Sequence, residues 1–141
     1  MRVGIAVGFA MLWAVSAGAV PVMLARSTTE AVQTAEVNSL EDTSDFLPGD
    51  GSYEDASGAT TLRAALEEFR AQGVAGQVRF DPALFAGEVP KTLALTRGTL
   101  LIRGDMSIEG PGQELLTLSG LGKARHFFVN SGHLQLSLIH I

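Results

Sequence analysis

Cysteine is absent from the 141 residues. That removes disulfide staples, thiol catalysis and cysteine metal sites together. Apolar burial and backbone ladders must hold the fold, which suits an oxidising or exposed compartment where a free thiol is a liability. Charge is sparse as well: charged residues make up 18%, and the ten Lys and Arg residues are scattered singly against a formal net charge of −5. A nucleic-acid surface needs clustered basic side chains, so this composition argues against nucleic acid as a partner. Aromatic residues amount to 6% beside sixteen glycines and an apolar share of 46%. Such a chain can pack one domain from small side chains joined by many turns.

The N-terminus specifies a compartment. Arg2 is a short positive region, Val3 to Val15 is an apolar run, and Ala17-Gly18-Ala19 supplies small residues at cleavage spacing. That order reads as a secretory signal peptide over residues 1–19, cleaved after Ala19 with Ala25 as a second site. An uncleaved anchor is the competing reading, because Val3 to Ala25 carries no charge and approaches the length that crosses a bilayer. Pro21 and the small residues before it favour cleavage. The expected localisation is therefore secreted or cell surface, with no membrane span left after cleavage.

Residues 20–35 read as a linker, with a strand expected to begin near Ala35 and marked by Val37 and Leu40. Glu41 to Gly58 is a long acidic loop with turn dipeptides at Pro48-Gly49 and Asp50-Gly51. Its carboxylates are Glu41, Asp42, Asp45, Asp50, Glu54 and Asp55. Calcium takes several such oxygens, so a calcium loop is one reading and a solvated surface loop the other. The spacing does not match an EF-hand, and the expectation is no cofactor and no metal.

Thr60 to Gln72 is the one clear helix. Leu62, Ala65, Leu66 and Phe69 recur at helical spacing on one face. Thr60 or Thr61 suits the N-cap and Gly73 the C-terminal cap. Arg63, Glu67, Glu68 and Arg70 fall off the apolar stripe and read as a solvated face. From Gly76 the period changes to two: Val78 and Phe80, Leu93 and Leu95, Leu100 and Ile102, Met106 and Ile108, Leu116 and Leu118, Phe127 to Val129, then Leu134, Leu136 and Leu138. Each run is short and bounded by turn residues, an all-β pattern. Two architectures compete at this point, an antiparallel sandwich and a parallel β-helix. Met106-Ser107-Ile108-Glu109 and Leu134-Gln135-Leu136-Ser137 look like one repeat with two other short strands between them, as a stacked coil requires. Periodicity leaves both architectures open.

Thr60-Thr61-Leu62-Arg63-Ala64-Ala65-Leu66-Glu67-Glu68 resembles the CSLREA domain, which follows the signal peptide of exported bacterial proteins with right-handed parallel β-helices. Val37-Asn38-Ser39, Pro48-Gly49-Asp50-Gly51, Val78-Arg79-Phe80-Asp81 and Ile108-Glu109-Gly110-Pro111-Gly112 resemble further motifs of that family, in the same order. The resemblance covers about residues 36 to 141. It implies an all-β, right-handed parallel β-helix, of which this chain holds the first coils, with one N-terminal capping α-helix. Residues 36–75 would be the cap, with its acidic loop and helix, and 76–141 the first coils. The family often carries two cysteines about the acidic loop; Tyr53 and Thr60 stand near those places here, which puts the loop's rigidity in doubt.

Candidate chemistry is thin. His126, His133 and His140 are spaced seven apart, and metal ligands must converge on one ion; they read as surface histidines. Asp105, Glu109 and Glu114 lie near the Gly110-Pro111-Gly112 turn and are the best carboxylates for glycoside chemistry, but they equally suit strand ends. No catalytic, cofactor or metal residue is assigned. The chain stops in mid-strand at Ile141 and is expected to continue into further β-helix coils, and Ser137 to Ile141 also resembles translated sequencing-adapter read-through. The functional expectation is a non-enzymatic exported surface or adhesin-like protein with a surface or carbohydrate ligand. The alternative is a polysaccharide lyase or hydrolase whose active site lies in further coils.

Overall fold

Residues 32–123 and 125–141 are described by the computed structural model; the signal peptide and most of the linker lie outside them. Period-two runs become strands because alternate side chains of an extended chain leave on opposite faces. Eight form: β1 (Gln33–Val37), β2 (Gly76–Phe80), β3 (Lys91–Ala94), β4 (Leu100–Arg103), β5 (Met106–Glu109), β6 (Leu116–Ser119), β7 (Phe127–Ser131) and β8 (Leu134–Ser137). The first begins two residues before Ala35. A helix, α1 (Leu62–Gln72), lies between β1 and β2. A kinked 3-10 segment, Pro82–Glu88, follows β2. It is entered through Asp81, whose carboxylate accepts the Ala83 N–H at 2.9 Å, and Pro82 supplies the fixed backbone angle of a first helical position.

The strands form three parallel sheets, ordered β1-β2-β5-β8, β3-β6 and β4-β7. Apolar residues stack in register: Ala35 on Val78, Val78 on Ile108, and Ile108 on Leu136 in the largest sheet; Leu93 on Leu118 in the second; Leu100 on Phe127 and Ile102 on Val129 in the third. Asn130 is an extra residue in β7, where the register slips between Ile102 and Arg103. The inward members Val78, Leu93, Leu100, Ile102, Ile108 and Leu118 are all buried. Burying each contributes roughly 1.5–3 kcal/mol. Beside the sheets, Gly132 lies on the backbone of Gly104, so close that an added Cβ would come within 2.3 Å of the Gly104 carbonyl.

The expected all-β right-handed parallel β-helix is corrected by this structure. The described residues are mixed α/β, with two helical elements and eight short strands in small parallel sheets that make neither a closed barrel nor a solenoid. Two of the sheets hold a single ladder each, and the chain between β1 and β2 is spent on loop and helix. Alternation marks the buried face of β1 to β6 but not how many partners a strand finds. The sandwich fails too, because all the pairings between named strands are parallel.

Thr61 caps α1 by accepting the Ala64 N–H at 3.0 Å, and Gly73 closes it in the left-handed region at φ 71°. The helix packs on β4, β2 and β1. Leu62, Ala65, Leu66 and Phe69 join one apolar core with Val37, Val78 and Ile102. Among the described residues no helix is long and apolar enough to cross a membrane.

Candidate functional site

The densest polar chemistry lies where the acidic loop wraps α1. Arg63 and Glu68, expected on a solvated face, are buried at 8% and 0% exposure. The apolar stripe lies inward as its spacing requires, but the loop covers part of the helix flank as well, so Arg63 and Glu68 are interior while Glu67 and Arg70 are half-buried.

Asp42 and Arg63 form one end of this region. The guanidinium donates from Nε to Asp42 Oδ1 at 2.7 Å and from Nη2 to Oδ2 at 3.1 Å. Nη2 also donates to the Gly98 carbonyl at 2.6 Å. The Arg97 N–H adds a donor to Asp42 Oδ2 at 2.7 Å. A planar fork matched to a carboxylate suits a buried pair. It fastens the loop and α1 to the turn before β4.

Asp55 organises the far side of the loop. It accepts the Ser57 N–H at 2.8 Å, the Ser57 hydroxyl at 2.6 Å and the Ala59 N–H at 3.1 Å, and the Thr43 hydroxyl donates to it too. The Ser57 and Thr43 hydroxyls, outweighing burial and joined by the Ala59 and Ser57 N–H groups, hold its carboxyl well below the ordinary range. Thr43 in turn meets α1, its carbonyl accepting the Thr61 hydroxyl at 2.6 Å.

Glu68 is the centre. Its carboxylate accepts the N–H groups of Gly49 and Gly51 and the Gln72 side-chain amide. Both glycines sit at positive φ, 102° and 91°, where a side chain would be strained and where the turn can aim both N–H groups at one carboxylate. Burial pushes Glu68 up, but the Gly49 N–H, Gln72, the Gly51 N–H and Asp45 together bring it below its ordinary value. Asp45 lies beside it, accepting the Leu47 N–H at 2.9 Å while its own N–H donates to Glu67 at 2.9 Å. Tyr53 stacks on Phe69 at 5.1 Å between ring centres, and its hydroxyl donates to Gln33 at 2.9 Å. Next to Tyr53, the backbone bridges Glu54 to Thr60, and the loop is pinned by hydrogen bonds. A hollow of about 530 Å³ opens between Thr43–Phe46, Asp55–Ser57 and Arg97.

The other candidates are dispersed. His126 accepts the Gly120 N–H through Nε2 at 3.1 Å. His133 lies 3.1 Å from Asp105 in an exposed pair. His140 exchanges backbone bonds with Leu116 and Leu118. Glu109 faces Arg79 at 3.5 Å, also exposed, and Glu114 sits in the exposed turn before β6. Among the described residues no three His, Asp or Glu side chains converge as metal ligands would. In the acidic loop, Asp42 and Asp55 accept hydrogen bonds from protein donors.

A second surface feature lies on the β4–β7 sheet. Leu101 and Phe128 lie side by side across β4 and β7, at 37% and 45% exposure. Thr99 and Arg125 complete the lining of a hollow of about 400 Å³ there. Two neighbouring outward apolar positions in paired strands are its only sequence signal.

These sites define a mixed α/β unit of parallel strands with a loop-clasped helix. No family model matches the chain, and no curated protein or solved structure matches it.

Proposed function

We propose that the chain is a non-enzymatic exported protein acting at the cell surface or outside the cell. Residues 36–75 serve as a rigid N-terminal module, and the β4–β7 face meets a carbohydrate or surface ligand. One observation carries the non-enzymatic part: four of the buried ionic groups of the helix–loop region, Arg63, Asp42, Asp55 and Glu68, are committed to the protein's own donors and acceptors. A catalytic carboxylate must instead reach a reacting atom. The order of Arg2, Val3 to Val15 and Ala17-Gly18-Ala19 supports export, as does the resemblance to CSLREA proteins. For the ligand face, Phe128 offers a ring on which a sugar's C–H face can lie, and Arg125 a donor for its hydroxyls or carboxylates.

The test has two arms. Expression with the native N-terminus, followed by fractionation and N-terminal sequencing, should yield an extracytoplasmic chain beginning at Val20; cytoplasmic retention with Met1 intact would overturn export. The purified chain should bind members of a panel of neutral and acidic polysaccharides without releasing reducing ends, and Phe128→Ala should weaken binding about tenfold, as loss of about 1.4 kcal/mol implies. Polysaccharide cleavage would overturn the non-enzymatic reading, and equal binding by Phe128→Ala would remove the β4–β7 face as the site.

A further inference from the structure

Asp45 and Glu68 pose a problem of proton accounting. Glu68 is wholly buried, and three donors reach its carboxylate, two of them loop N–H groups. Asp45 is 8% exposed. Its Oδ1 accepts the Leu47 N–H, but its Oδ2 is buried and meets no donor. Glu68 is the neighbouring carboxylate, both hydrogen-bond partner and like charge to Asp45. Two ionised carboxylates cannot share such a contact cheaply, since like charges in a poorly solvated site disfavour double ionisation. A single proton between them removes the repulsion and partners the orphan oxygen.

We propose that Asp45 and Glu68 hold one proton between them, and that its loss with rising pH loosens the Asp45–Gly51 turn from α1, making the acidic loop a pH-responsive latch. The surrounding charges favour the proton. On α1, Glu67 accepts the Asp45 N–H, while Arg63 is committed to Asp42. In the loop, Asp50 adds negative charge near Asp45, and Asp55 lines the same hollow. Tyr53 adds an uncharged hydroxyl. Across the hollow, Arg97 is the one cation, and its backbone N–H is held by Asp42.

The proton resides on Asp45. Burial raises Asp45, and the Glu68 and Asp50 charges add to this against the Leu47 N–H; Glu68 is lowered by its donors. The signs follow from linkage. The raised Asp45 contributes stability that is full below its unfolded value and is lost as pH rises through its folded value. The lowered Glu68 contributes stability that is present above its unfolded value and lost as pH falls through its folded value. The latch is tightest near the unfolded values of the two carboxyls, and it loosens as pH rises from there through the folded value of Asp45. Its opening changes the wall of the hollow, because Asp45 and Phe46 line it.

Carboxyl-carbon NMR titration of the secreted chain tests this directly. Asp45 should titrate above an ordinary aspartate and Glu68 below an ordinary glutamate; an Asp45 that titrates at or below the ordinary value overturns the proposal. Amide exchange of Gly49 and Gly51 between pH 4.5 and 7.5 gives the second readout. Protection should fall with rising pH by up to about tenfold per unit between the unfolded and folded Asp45 values, and level off above the folded value. In Asp45→Asn the amide keeps an acceptor for Leu47 and offers Glu68 a donor that cannot be titrated away, so the profile should be flat. Matching profiles in the two proteins would sink the latch, and if the variant does not fold the carboxyl titration decides alone.

Discussion

Arg63 and Asp42 are committed to one another and to the backbone around them, so neither can be removed quietly. Replacing Arg63 with Leu strips a buried carboxylate of its partner, which costs about 3–5 kcal/mol. Urea unfolding of Arg63→Leu should show that loss, whereas replacing an exposed pair such as Arg79–Glu109 should cost under about 1 kcal/mol. Asp55 gives a pH-dependent counterpart. Its carboxyl is depressed by Ser57 and Thr43, so its stabilisation is present above the unfolded aspartate value near 3.9 and drains away as pH falls toward the folded value. Thermal unfolding should therefore show a falling midpoint below about pH 4, and Asp55→Asn should start lower at pH 6 and fall less steeply. Asp45 works in the opposite direction, since its burial is cheapest when protonated. Residue-level reading of the sequence found the acidic loop but took its carboxylates as solvated or calcium-seeking. The difference lies in long-range donors: Arg63 reaches Asp42 across 21 positions, and the Gly49 N–H reaches Glu68 across 19.

At the scale of elements, α1 was the most legible piece. Its stripe, Thr61 cap and Gly73 stop all follow from local chemistry, and each stands where the spacing put it. Thr61 also donates to the Thr43 carbonyl, so Thr61→Ala loses the cap and a loop tether together. A loss of about 1–2 kcal/mol is expected by chemical denaturation, with Thr61→Ser recovering most of it. The strands were legible for a different reason: alternation depends only on which face is apolar, as in Val78 and Phe80 or Leu116 and Leu118. The 3-10 segment at Pro82–Glu88 was read only as a strand end at Pro82. A proline both ends a strand and begins a helical turn, and sequence alone did not separate these roles.

For the whole molecule, residues 32 to 141 form one compact unit, in which α1 and all three sheets share a core. Architecture was the least legible level. The Met106–Glu109 and Leu134–Ser137 runs do lie in register, yet the whole is mixed α/β, because ladder number depends on contacts between distant segments. The shared core makes Leu66 a test of the molecule and not of its helix alone. Leu66→Asp places an unpaired carboxylate at a position 2% exposed, a change in the class that costs more than about 4 kcal/mol. The variant should aggregate, as size-exclusion chromatography of the secreted fraction would reveal; a soluble variant melting with the parent would show that the helix does not seal the core. The touching backbones of Gly104 and Gly132 carry a wider consequence. Those two turns form a single unit of mutational tolerance: a side chain at Gly132 would be driven into Gly104, and Gly104 itself sits at φ 91°, where a side chain is strained, so a library randomised at both positions should return glycine at each, however freely the neighbouring turn residues vary.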